Sequence, residues 1–165
     1  MMKTPYIVFV LICLLTLGGC SYKPLYGSDS QSRGVVGDLA SISIPEADTR
    51  LGQIIRNDLL SSMHPAGTSA DDRYRLDLKI TQSKSDIINK SQPNNTRQSA
   101  LVSVTFSLME GANEVYSGKT FSQVSYDVVR QPFADTQAEN NALERVAHEL
   151  SGDIRTRLAA YFATH

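Results

Sequence analysis

Alternating apolar and polar residues predict four β-strands along this chain. The first, Leu39 to Ile44, alternates apolar with small polar residues and stops at Pro45. The second runs through residues 74–81, the third through residues 100–108 and the fourth through residues 115–126. A turn at residues 110–113 joins the last two strands, and the polar segment from Ser83 to Asn95 is predicted to be mainly a loop.

Apolar residues at three- and four-residue spacing predict two amphipathic helices. The first carries its apolar face from Leu51 to Met63, behind two helix-capping candidates, Asp48 and Thr49. The second extends to Tyr161 and starts at Thr136-Gln137-Ala138-Glu139, which has the spacing of a capping box. The fold class that follows is α+β, with both helices packed on one face of a four-stranded, mixed, largely antiparallel sheet. The other face of that sheet is polar and would be exposed or meet a partner.

The first nineteen residues have the three parts of an export signal. Lys3 supplies a positive charge, and the uncharged apolar run from Tyr6 to Leu17 is shorter than the roughly 20 residues of a membrane-spanning helix. Two small residues, Gly18 and Gly19, then precede Cys20, and this ending resembles the lipobox of bacterial lipoproteins. It predicts cleavage between Gly19 and Cys20 and lipid attachment to the Cys20 sulfur. An uncleaved anchor and an ordinary secretory signal are the alternatives.

The lipobox resemblance implies a place in the cell. Two or three acyl chains on one cysteine hold a protein permanently at a membrane, whereas a single chain binds only marginally. Ser21 follows the cysteine, where an Asp would resemble the inner-membrane retention signal, so we expect the periplasmic face of the outer membrane. Residues 20–37 are interpreted as a tether because Gly27, Gly34 and Gly37 disfavour regular structure. Residues 38–165 are interpreted as one α+β domain.

Composition and motifs give little support for catalysis. The chain has two cysteines, one in the signal and one at the lipid site, so no thiol remains for a disulfide, a metal or a nucleophile. The three histidines, His64, His148 and His165, have no metal-ligand spacing. Neither a serine-nucleophile motif nor a phosphate-binding glycine loop is found, and a net charge of −1 argues against nucleic acid. We therefore expect no enzyme activity, no metal and no cofactor.

Basic residues on the predicted strands and sheet-edge loops are candidates for binding the phosphates of an anionic lipid. They are Arg73, Arg75, Lys79, Lys84, Lys90, Arg97, Lys119 and Arg130. The alternative is ordinary solubilising charge, which also protects sheet edges from aggregation.

Several short motifs follow one another along the chain. The mature start reads Cys20-Ser21-Tyr22-Lys23-Pro24-Leu25-Tyr26-Gly27, and the first helix contains Arg50-Leu51-Gly52-Gln53-Ile54-Ile55-Arg56-Asn57-Asp58-Leu59. Further pieces are Tyr74-Arg75-Leu76, Ser125-Tyr126, Ala142-Leu143-Glu144-Arg145 and Ile154-Arg155-Thr156-Arg157-Leu158. In this order, the motifs resemble those of the lipopolysaccharide (LPS)-assembly lipoproteins of the LptE family.

This resemblance implies a non-catalytic outer-membrane lipoprotein that sits in the lumen of the LPS-assembly β-barrel LptD. Such a protein acts as plug and assembly partner, and can bind LPS during its delivery to the outer leaflet. The candidate LPS contacts are then Arg73, Arg75, Lys79, Arg97, Lys119 and Arg130. Two alternatives remain open, an auxiliary lipoprotein subunit of a periplasmic lipid-transport complex and a small periplasmic hydrolase.

Overall fold

The computed structural model describes residues 30–64, 72–88, 96–128 and 131–165. Seven elements follow one another along the chain, and their bounds are α1 (Ser30–Ala40), β1 (Ile42–Ser43), α2 (Arg50–Met63), β2 (Tyr74–Ile88), β3 (Thr96–Glu110), β4 (Asn113–Val128) and α3 (Pro132–Thr164). The strands form one sheet in the order β1-β2-β3-β4. Strand β1 pairs parallel to β2, and the other neighbours are antiparallel. The predicted α+β fold is confirmed, with helices packed against a four-stranded mixed sheet.

The core lies between one face of the sheet and the helices. Leu76 of β2 and the even-numbered residues of β3 from Ala100 to Leu108 point into it and are fully buried, and Leu78 and Ile80 of β2 are half-buried against it. They meet Ile55 and Leu59 of α2, and three buried residues of α3, Leu150, Ile154 and Leu158. Each such side chain contributes about 1.5–3 kcal/mol on burial. No helix in the described residues has the length and apolar character needed to cross a membrane.

The interpretation of residues 20–37 as an irregular tether is wrong for residues 30–37, which belong to helix α1. Val35 and Leu39, one helical turn apart, are buried in the core, whereas Gly34 and Gly37 have open space around them. Burial of that apolar pair offsets the roughly 1 kcal/mol that each glycine costs a helix. The predicted strand from Leu39 to Ile44 correspondingly shrinks to Ile42–Ser43. Residues 20–29 lie outside the described residues.

Two predicted boundaries also differ from the structure. Strand β2 continues through residues 83–88, in a segment that was predicted to be mainly a loop, because their backbones pair with β3 in unbroken register. Helix α3 starts at Pro132, and its first turn accommodates a proline that has no N–H to donate. Thr136 is therefore inside the helix, where its hydroxyl donates to the Pro132 carbonyl, and the predicted capping box is not formed.

Candidate functional site

The sheet face away from the helices is polar and accessible, and we call it the open face. It is formed by the odd-numbered residues of β2 and β3 and by the β4 residues that pair with them, among which serine and threonine predominate. Residues that pair in register form rows across β2, β3 and β4, such as Ser85-Ser99-Ser125. Gln123 donates to the Ser99 hydroxyl at 2.8 Å. Hydrogen bonds from Ser117 and Ser107 lower the pKa of Glu114 at one end of this face.

One row of the open face carries two lysines. Lys79 and Lys119 pair with opposite sides of Thr105, so their Cα atoms are about 10 Å apart, two strand spacings. Both side chains are exposed. Within the described ranges neither has an acidic partner, so their positive charges are not neutralised locally. The row Lys79-Thr105-Lys119 is therefore the strongest candidate for anion binding on this face.

The other predicted cations that the structure describes are paired with acids. Arg73 contacts Glu110 at 2.8 Å, Arg75 contacts both carboxylate oxygens of Asp77 at 2.9 Å, Arg97 contacts Asp127 at 3.1 Å and Lys84 contacts Glu139. These hydrogen bonds raise the pKa of Arg73, Arg75 and Lys84. Arg130 and Lys90 lie outside the described residues.

Distance also separates the predicted cations. Arg97 pairs with Asp127, eight residues along β4 from Lys119, and this corresponds to roughly 27 Å in an extended strand. Lys84 lies on the helix side of β2, against Glu139 of α3. Arg97 and Lys84 therefore do not join Lys79 and Lys119 in one site.

The sequence pattern did not identify two apolar residues on the open face. Phe121 is 69% exposed and Leu101 is 36% exposed. They are diagonal neighbours, since Phe121 pairs with Ser103 and Leu101 pairs with Gln123. The pattern of β4 does not reveal Phe121, because its neighbours Thr120 and Ser122, which face the helices, are polar although they are buried.

Comparison with known proteins supplies the family. The profile of the lipopolysaccharide-assembly family LptE matches residues 39–158. The chain belongs to the LptE family. The matched span reaches from α1 through β1 into α3 and includes both lysines of the open-face row. Comparison with curated proteins gives no significant match.

Solved structures that are similar to this chain include lipoproteins. A predicted lipoprotein of Caulobacter crescentus is 29% identical, with a TM-score of 0.64 over 79% of this chain and 96% of that chain. A minor lipoprotein of Acinetobacter baumannii is 17% identical, with a TM-score of 0.55 over 73% of this chain and 89% of that one, a likeness of fold alone. Rare lipoprotein B of Shewanella oneidensis is 13% identical, with a TM-score of 0.49 over 73% and 92%.

The LptE-like motif in α2 is structural in this chain. Arg56 donates through Nε to the carbonyls of Ile44 and Pro45, at 3.0 and 3.1 Å. A Cβ on Gly52 would lie 2.8 Å from the Cβ of Ala47, so only glycine allows the helix to approach this loop so closely. The motif residues thus fix the β1–α2 connection, on the helix side of the sheet.

A cluster between α2 and α3 tests the hydrolase alternative for this LptE-family chain. His148 Nδ1 lies 2.5 Å from Asp58 Oδ2, and Ser151 donates to the same oxygen at 3.4 Å and to the His148 carbonyl at 3.0 Å. A serine nucleophile must instead donate to a ring nitrogen of the histidine. The cluster therefore joins two helices and does not activate the serine. No group of three potential metal ligands occurs in the described residues.

Proposed function

We propose that this LptE-family protein is a non-catalytic outer-membrane lipoprotein that plugs the LPS-translocating β-barrel LptD and assists its assembly. Family membership over residues 39–158 carries the proposal. The polar open face supports it, because barrel lumens are polar, in contrast to the lipid-facing exterior. The rival function, an auxiliary subunit of a periplasmic lipid-transport complex, fits the same fold but has no family match behind it.

The proposal includes the N-terminal anchor. Cleavage between Gly19 and Cys20 leaves Cys20 as the lipid-bearing first residue, and the lipid holds the protein at the periplasmic face of the outer membrane. The apolar run before the cysteine and the small residues next to it support this assignment. Both residues lie outside the described part of the chain.

Affinity purification from detergent-solubilised outer membranes tests the partner. We expect a detergent-stable pair with a large outer-membrane β-barrel protein, and an acylated peptide that begins at Cys20 in its mass spectrum. A Cys20→Ser variant is the control for the anchor and should lack the lipid mass. Recovery with an inner-membrane transporter, and without the barrel, would support the rival function and contradict ours.

Within this function, we assign LPS binding to the row Lys79-Thr105-Lys119. Two exposed ammonium groups with a hydroxyl between them can bind two phosphates of one lipid, or bind one phosphate from both sides. The lack of acidic partners favours these lysines over Arg73, Arg75 and Arg97, whose carboxylate partners compete with an incoming phosphate.

The test is a fluorescence titration of purified LPS with the Lys79→Ala/Lys119→Ala double variant. We expect affinity to fall about tenfold, since a hydrogen bond to a charged group contributes about 1.5–3 kcal/mol before solvent screening. The matched control is Arg50→Ala/Arg145→Ala, which removes the same charge from exposed helical positions. Equal losses in the two double variants would show a non-specific charge effect and reject the row as the site.

A further inference from the structure

The outer side of strand β4 is an unpaired sheet edge. β4 is the last strand in the sheet order, and it pairs with β3 from Asn113 to Val128. Alternate residues of such a strand direct their N–H and C=O groups away from the sheet. Within residues 30–64, 72–88, 96–128 and 131–165, no strand pairs with this side. On the opposite side of the sheet, the uncovered part of the β2 edge is shorter than the β4 edge. This is because β1 and the loop after it lie beside residues 74–80.

A groove follows this edge between β4 and α3. One cavity of about 310 Å³ is lined by Lys119, Thr120 and Phe121, and by residues of α3 from Glu149 to Arg157. Lys119 and Phe121 belong to the open face and Thr120 to the helix side, so this cavity extends around the outer edge of the strand. A second cavity of about 520 Å³ is lined by consecutive β4 residues and by α3, and it shares Arg157 with the first. We call the two together the edge groove.

The backbone of the edge groove selects the class of ligand. A row of free N–H and C=O groups is complementary to another extended polypeptide, as in domains that bind peptides by adding a strand beside a helix. A lipid chain cannot satisfy these groups. The stacked rings of Tyr116 and Tyr161, with centroids 4.9 Å apart, give one end of the groove an apolar wall.

The side chains of the edge groove select the ligand sequence. Arg157 is paired with Asp153 at 2.8 Å, and Glu149 accepts a hydrogen bond from Ser122 at 2.7 Å on the helix side of the strand. On the open-face side of the groove, Lys119 has no acidic partner among the described residues, and this favours a carboxylate opposite it. Phe121, on the same face two residues further on, favours an apolar side chain.

We propose that the edge groove binds, by antiparallel strand addition, an extended segment of a partner protein. In this segment an apolar residue faces Phe121, and an acidic residue two positions later faces Lys119. The edge groove and the lysine row share Lys119, but the proposal rests on the β4 edge and stands whether or not that row binds LPS.

The probe is the synthetic peptide fluorescein-Thr-Val-Thr-Leu-Thr-Glu-Thr-Val-amide, titrated with the full-chain protein in detergent by fluorescence anisotropy. We expect saturable binding that weakens about fivefold when the glutamate of the peptide is replaced by lysine. Phe121→Ala in the protein should weaken binding about fivefold as well. Phe133→Ala is the matched control, because Phe133 is 84% exposed on α3 and does not line the groove. The Phe133→Ala variant should bind the peptide with the same affinity as the natural protein.

Methylation of the peptide backbone separates strand addition from other modes of binding. In an added strand only every second amide faces β4, so N-methylation of one alternate set should lower affinity at least about tenfold. Methylation of the other set should change it little. Equal effects of the two sets, or no saturable binding, would overturn the proposal. So would sedimentation showing a dimer that the peptide dissociates, since the occupant would then be a second copy.

Discussion

At the scale of single residues, the clearest constraint is a glycine that lies under an aromatic ring. Gly118 of β4 pairs in register with Phe106 of β3, and the Phe106 ring is fully buried. A Cβ built on Gly118 would lie 2.6 Å from Cζ of that ring. The ring also contacts Tyr116, with centroids 5.9 Å apart, so it has little room to move. This glycine is required by packing against a large cross-strand neighbour.

Gly118→Ala should accordingly lower the free energy of unfolding by about 1–3 kcal/mol, the usual cost of overpacking a core. Urea denaturation followed by circular dichroism measures it. Gly152→Ala is the matched control, because an added Cβ there meets nothing within 4 Å on an exposed helical surface. It should raise stability by about 0.5–1 kcal/mol. An unchanged midpoint for Gly118→Ala would show that Phe106 can shift without cost.

Gly118 and Gly152 also show how much the sequence could predict at the scale of single residues. The helical spacing places Gly152 inside α3 and indicates its cost, and an added Cβ would meet nothing there. The contact of Gly118 with Phe106 depends on the register of two strands. Nothing local in the sequence encodes that register, so the requirement for glycine emerges only in the folded sheet.

At the scale of elements, helix α1 is a part of the core that the sequence pattern divided between a tether and the first strand. Leu39 is 2% exposed and Val35 is 6% exposed, whereas Val36 is 42% exposed. Ser41, directly after the helix, accepts a hydrogen bond from the Tyr74 backbone at 3.1 Å. The helix thus closes one end of the core and leads into the sheet.

Leu39→Ala should therefore destabilise the protein by about 2–5 kcal/mol, as truncation of a buried leucine leaves a cavity. Val36→Ala, on the exposed side of the same helix, should stay within about 0.5 kcal/mol of the natural protein. Thermal unfolding of the two variants side by side provides the comparison. If Leu39→Ala unfolded like Val36→Ala, α1 would not be part of the cooperative unit.

Elements with a strong amphipathic period are predicted well from this sequence, and the others are not. Helix α2 and the alternating parts of β2 and β3 fall where the pattern places them, because burial of one face determines both the pattern and the structure. The polar half of β2 was missed because backbone pairing with β3 is sufficient to hold it. Helix α1 was missed because Gly34 and Gly37 disfavour a helix in the sequence pattern. The single buried pair that stabilises the helix, Val35 and Leu39, does not outweigh them in that pattern.

At the scale of the whole molecule, the chain separates into a packed helix side and a polar open face. The sequence predicted this division and supplied Lys79 and Lys119 as candidates, among other cations. It could not show that these two, forty residues apart in sequence, share one row with Thr105. Nor could it show that Arg73, Arg75 and Arg97 are paired with acids. Register and ion pairing are properties of the assembled sheet.

The short β1 strand gives the molecule a mechanical weak point. Gly111, with a φ of +60°, lies in the tight turn that joins β3 to β4, whereas the residues of β1 pair with residues of β2 that are 32 positions further along the chain. Only Ile42 and Ser43 contribute to that pairing. Since long loops cost more entropy to close and short pairings contribute little, the β1 end of the sheet should open first. A pulling force on the N-terminal side would then peel off α1 and β1, leaving the three long strands intact.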